Sequence, residues 1–121
     1  MKVELTRSYR FEAAHRLPMV PPDHKCARMH GHSFEIEVTV AGEMDERMGW
    51  LVDYAEITKV LEPLLKNELD HRTLNDVPGL ENPTSEVLCG WLWQRLRPHL
   101  PLLAVITVAE TCTARCTYRG A

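Results

Sequence analysis

Two long stretches of this chain alternate apolar and polar residues with the period of two that marks a strand packed on one face. Residues 2–15 put Val3, Leu5, Tyr9, Phe11, Ala13 and His15 on one parity, and Glu4, Thr6, Ser8, Arg10 and Glu12 on the other, with Arg7 as the exception. Residues 32–43 repeat the pattern, with Phe34, Ile36, Val38 and Val40 opposed to Glu35, Glu37 and Thr39. Residues 102–110, LLAVITVAE, give a third strand, and residues 115–119, RCTYR, a shorter fourth.

Between these pairs the period lengthens. Asp53 with Glu56 three residues on is close to a capping box that opens a helix. Ile57, Val60, Leu61, Leu64, Leu65 and Leu69 then form a stripe at helical spacing. Pro63 interrupts it, removing a backbone hydrogen bond, so a kink or two shorter pieces is expected. After the turn-rich NDVPGLENP, a second helix is expected from about Thr84 to near Pro98, burying Val87, Leu88, Trp91 and Leu92. The order ββααββ predicts an α+β fold, a four-stranded antiparallel sheet with two helices on one face. Its open edges must be covered or paired with another subunit, which makes oligomerisation the natural outcome.

Composition adds bounds. With 121 residues, 45% of them apolar, residues 1–121 are expected to form one domain that needs no disulfide staples. No stretch approaches the roughly 20 apolar residues that cross a bilayer, and the N-terminus carries no apolar signal core, so no membrane partner and a cytoplasmic location are expected. Cys26, Cys89, Cys112 and Cys116 lack C-x-x-C spacing and are expected to be free thiols. For Cys112 and Cys116, two buried thiols are the expectation and a second metal site the alternative. A net charge of −3 argues against a general nucleic-acid binder and leaves room for a small anionic substrate.

The candidate chemistry collects at two strand ends. His30 and His32 flank one glycine on an extended segment, which points both imidazoles the same way, and His15 ends the neighbouring strand. Three imidazoles with a fourth position open suit a catalytic Zn2+. Glu35 or Glu37 could orient a ligand, although solvated sheet positions are the simpler reading. The loop LPMVPPDHKCARMHG carries three prolines and Cys26, and loops of this length inside small domains tend to be functional. Lys25 and Arg28 flank Cys26, favouring its thiolate and offering phosphate contacts. Cys26 is read as a general base, with a fourth sulfur ligand as the alternative. Asp70 and His71 form either a proton-relay pair or a turn cap beside a solvated histidine. Glu110 ends an apolar strand, either as an edge residue reaching water or as an acceptor for paired N–H donors.

F-E-A-A-H at 11–15, C-x-x-x-H-G-H at 26–32, D-H-x-x-L-N at 70–75, N-P-T-S-E at 82–86 and E-T at 110–111 occur in one order along the chain. That ordered set resembles the 6-pyruvoyltetrahydropterin synthase family over essentially the whole chain. The three-residue gap between Cys26 and His30 resembles the carboxy-forming branch, which serves queuosine biosynthesis, more than the pyruvoyl-forming one. Ala109, before Glu110, departs from the longer polar residue common in relatives. The resemblance implies the tunnelling fold, subunits joined edge to edge into barrels, and a homohexamer built as a dimer of trimers. It implies a pterin triphosphate substrate and Zn2+ on His15, His30 and His32. It makes Cys26 the proton acceptor, Asp70 and His71 its relay partner, and Glu110 the anchor of the pterin edge and a member of the relay. It puts Thr84 and Ser85 beside the pterin, in pockets between subunits.

Overall fold

The computed structural model describes residues 1–121, and its central feature is a ladder between β1 (Lys2–His15) and β2 (His30–Glu43). The two pair antiparallel without a break from Lys2↔Glu43 to His15↔His30. Matched parity explains the match: Phe11 and Ala13 are buried on the same face as Phe34, Ile36 and Val38, while Glu4, Arg10 and Glu12 stay exposed on the other. β2 thus begins at His30, two residues ahead of the alternation visible in the sequence.

The sheet has five strands rather than four. A two-residue strand, β3 (Arg72–Thr73), lies parallel to the end of β1 at Ala13 and Ala14, while β4 (Leu103–Thr111) and β5 (Ala114–Tyr118) extend the other side, giving the order β3-β1-β2-β4-β5. β3 escapes a pattern reading because hydrogen bonds set it. His71 N–H donates to the Glu12 carbonyl at 2.6 Å, and Asp70 Oδ1 accepts from Glu12 N–H at 2.9 Å. The rest of the outer edge of β1 and the outer edge of β5 have no strand beside them within the chain.

α1 (Tyr54–Leu64) starts on Asp53, whose side chain accepts from Ala55 N–H at 2.9 Å. It runs through Pro63 and, instead of dividing into two α-helical pieces, widens into a π-helical turn over Leu65–Leu69, closed by Asp70 N–H on the Leu65 carbonyl at 2.7 Å. Ile57, Leu61, Leu64, Leu65 and Leu69 are buried, with Val60 at the rim. α2 (Ser85–Leu96) is capped by Thr84, whose Oγ1 accepts from Val87 N–H at 3.1 Å. Its buried face is Leu88, Cys89, Leu92 and Leu96, rotated from the expected one. Trp91 sits instead at the rim, its indole N–H on the Pro78 carbonyl at 3.1 Å and the Arg95 guanidinium over its ring at 4.9 Å.

Cys89 takes the inward position, with Sγ facing the Cys116 carbonyl at 3.6 Å. Burial pushes this thiol up to about 12. Cys112 and Cys116 are not two buried thiols: Cys112 is exposed at the turn between β4 and β5, and Cys116 is half-buried toward α2. No helix is long and apolar enough to cross a membrane.

Phe34 is the floor on which the strand ends rest. It is fully buried, stacks on Phe11 at 5.0 Å, and meets the rings of His15 and His32 edge-on at 5.4 and 5.5 Å. Phe34→Ala is expected to cost about 3–5 kcal/mol in chemical denaturation and to weaken divalent-ion binding as well, because the same ring supports two imidazoles. Unchanged ion affinity in a destabilised variant would separate the floor from the site.

Candidate metal centre and active site

The antiparallel register sets His15 directly across from His30, and His32 lies two residues further along β2 on the same face. The three rings converge, with centroids 4.7, 5.1 and 4.8 Å apart and near-perpendicular planes. One ligand atom from each falls within 4.8 Å of the others, and neither a sulfur nor a carboxylate oxygen joins the cluster. Cys26 lies outside this cluster.

Two backbone carbonyls aim these rings. His15 Nδ1 is 2.8 Å from the Pro83 carbonyl, and His30 Nδ1 is 2.7 Å from the Arg28 carbonyl. A carbonyl can only accept, so each Nδ1 carries the proton and each Nε2 presents its lone pair. His15 Nε2 is buried and has no protein partner. A buried acceptor left open at the meeting point of three imidazoles fits a divalent cation. Burial also holds His15 and His32 below the ordinary 6.5, despite the opposing pull of the Pro83 carbonyl on His15 and of Glu110 on both. Both rings are thus neutral and ready to ligate at pH 7.

Glu110, near the end of β4, stands at the side of the trio. Its Oε2 is 3.8 Å from His32 Nε2, beyond hydrogen-bond range, and its Oε1 accepts from Ser85 Oγ at 2.9 Å. The segment Asn82–Ser85 therefore does three things in succession. Pro83 lends a carbonyl to His15, Thr84 spends its hydroxyl capping α2, and Ser85 holds Glu110. Asn82 Oδ1 is a second buried acceptor without a partner.

Asp70 and His71 do pair, with Asp70 Oδ2 3.0 Å from His71 Nδ1. The Glu12 N–H, and then His71, hold the Asp70 carboxyl below its usual range. His71 adopts φ +59°, a left-handed conformation uncommon outside glycine. Its exposed ring lines a cavity of about 510 Å³ together with His32, Glu12 and Arg72.

Cys26 lies in a 3-10 turn, Lys25–Ala27, and is half-buried. Its carbonyl accepts from Leu17 N–H at 2.8 Å, and Asn75 clasps both backbone groups of Arg16 at 3.0 and 2.9 Å, so the loop is tied to the chain just beyond His15. Lys25 and Arg28 are exposed and, like Cys26, do not line the cavity of His71. Glu35 and Glu37 play no part at the histidines; Glu37 faces Arg115 at 3.5 Å. Sequence reading misses the two orienting carbonyls, since a backbone oxygen has no side-chain signature, and misses Arg72, which only β3 brings to the cavity.

The pattern of 6-pyruvoyl tetrahydropterin synthase matches residues 4–121. The chain belongs to that family. A 6-carboxy-5,6,7,8-tetrahydropterin synthase of Synechocystis is 41% identical to it over 93% of this chain and 89% of the relative. A dihydroneopterin monophosphate aldolase of Pyrococcus furiosus is 36% identical over 84% of this chain and 81% of the relative. The solved 6-pyruvoyl tetrahydropterin synthase of Caenorhabditis elegans superposes with a TM-score of 0.90 at 28% identity, covering 100% of this chain and 97% of that one. The tunnelling fold of the family is therefore the fold of this chain.

His15→Ala is expected to abolish binding of one divalent ion per chain, as read by equilibrium dialysis with metal analysis. In the metal-free protein, His15 and His32 stay neutral when folded but take up protons near 6.5 when unfolded. The unfolded state then binds more protons, so stability is full above about pH 6.5 and declines as pH falls below it. Denaturation midpoints measured across that window check the sign; a midpoint that rises on acidification would contradict it.

Proposed function

We propose that this protein is a 6-carboxy-5,6,7,8-tetrahydropterin synthase, converting 7,8-dihydroneopterin triphosphate to 6-carboxytetrahydropterin with release of acetaldehyde and triphosphate, in queuosine biosynthesis. The observation that carries this reading is the 41% identity, over nearly the full length, to a cyanobacterial protein of that name. The open His15–His30–His32 cluster and the three-residue gap between Cys26 and His30 support it. We further infer a single domain over residues 1–121, a cytoplasmic location, and a homohexamer with sites between subunits, consistent with the unpaired outer edges of β1 and β5.

In this reading His15, His30 and His32 would hold Zn2+, which would supply Lewis-acid chemistry to the bound substrate. Glu110, steadied by Ser85, accepts the paired N–H donors of the pterin edge. Thr84 borders the pterin through its backbone, since its hydroxyl already caps α2. Cys26 as thiolate removes a proton from the side chain, and the Asp70–His71 pair delivers or accepts one on the opposite face. Lys25 and Arg28, beside Cys26, draw phosphate oxygens toward the loop. Triphosphate leaves by elimination, and one water then adds to the side-chain carbon next to the ring, so that cleavage of the adjacent carbon–carbon bond leaves the carboxylate on the pterin and releases acetaldehyde.

Mass analysis of every product formed from 7,8-dihydroneopterin triphosphate tests this. Acetaldehyde and the carboxy product in equal amounts are expected. A pyruvoyl product without acetaldehyde would assign the chain to the pyruvoyl-forming reaction instead. The Pyrococcus furiosus relative favours one further reading, aldol cleavage of the monophosphate, which turnover of that compound in place of the triphosphate would establish. Cys26→Ala should lower turnover by about 10²–10⁴-fold while leaving bound zinc unchanged, since the thiol is outside the cluster.

A further inference from the structure

Arg72 is the one lysine or arginine lining the cavity that holds His71 and His32. We propose that its guanidinium binds the triphosphate of the substrate and stabilises the charge that develops as this group leaves, an inference that rests on the reaction proposed above. Three observations carry it.

The first is placement. β3 pins the Arg72 backbone against Ala13, directly after His71, so the cation and the relay imidazole occupy consecutive residues at one cavity. A group that moves a proton and a group that receives the departing negative charge are then offered to the same small molecule. The second is availability. Arg72 donates through Nη2 to the Asn67 carbonyl at 3.2 Å, and no carboxylate oxygen lies within 4.0 Å of it. Of the five guanidinium N–H groups most remain open, in the planar fork that suits phosphate oxygens. The third concerns Glu12, the acidic side chain on the same wall. Both of its oxygens are engaged by Ser33 Oγ, at 2.8 and 2.6 Å, and it does not neutralise Arg72. Lys25 and Arg28 are elsewhere, on the Cys26 loop, so Arg72 is a separate anion contact.

The alternative is that Arg72 only ties down the π-helical turn through Asn67. Arg72→Gln keeps an N–H donor for that carbonyl and removes the charge, which separates the two roles. With the zinc-loaded enzyme, kcat/KM for dihydroneopterin triphosphate is expected to fall about tenfold or more in Arg72→Gln. Arg72→Lys should recover part of it. Inhibition by unphosphorylated 7,8-dihydroneopterin should change less than about twofold, because that ligand lacks the group Arg72 recognises. Equal weakening of both ligands, or no change in either, overturns the inference. Calorimetric titration with inorganic triphosphate provides a readout independent of turnover. Binding about tenfold weaker in Arg72→Gln than in the wild type supports the site, and equal binding refutes it. If the wild type turns over no pterin yet binds triphosphate through Arg72, the proposed reaction falls and the anion site stands.

Discussion

Everything at the histidine-bearing end of this molecule depends on the register of one antiparallel ladder. Side chains directly opposite in such a pair share a face, and a slip of one residue would turn every one of them over. With His15 facing His30, all three imidazoles and the Phe11–Phe34 stack emerge on the helix-covered side. The same register therefore builds the core and the candidate ion site. Burial of Phe11 and Ala13 on β1 against Phe34, Ile36, Val38 and Val40 on β2 fixes the position of the polar rings at the end.

The start of α2 is the second point of convergence. Asn82–Ser85 couples the cap of a helix to the tautomer of His15 and to the placement of Glu110. A side chain at a helix N-terminus usually serves the helix alone. Here adjacent residues divide that duty, with Thr84 satisfying the backbone while Pro83 and Ser85 face the site. The histidine cluster and the Glu110 carboxylate are thereby tied to one rigid element.

The sequence made much of this legible, for identifiable reasons. Alternation over residues 2–15 and 32–43 is a strong periodic signal, and it located both strands and the facing histidines. Asp53 and Thr84 act as caps because their chemistry is local. What stayed hidden depends on contacts distant in sequence. β3 exists through hydrogen bonds to Glu12, the π-helical turn follows a proline that pattern reading treats as a break, and Cys89 displaced Trp91 from the buried face because β4 and β5 lie where they do. Cys112 and Cys116, alike in sequence, part company at a turn. The trio, the Asp70–His71 pair and Ser85 with Glu110 are brought together, whereas Cys26 joins only through its tethered loop.

His71 stands apart in its backbone. At φ +59° a glycine would sit with less strain than a residue with a Cβ, yet the position carries an imidazole. Removing the ring there would relieve the backbone rather than strain it, so what the side chain adds to this turn is its contact with the Asp70 carboxylate.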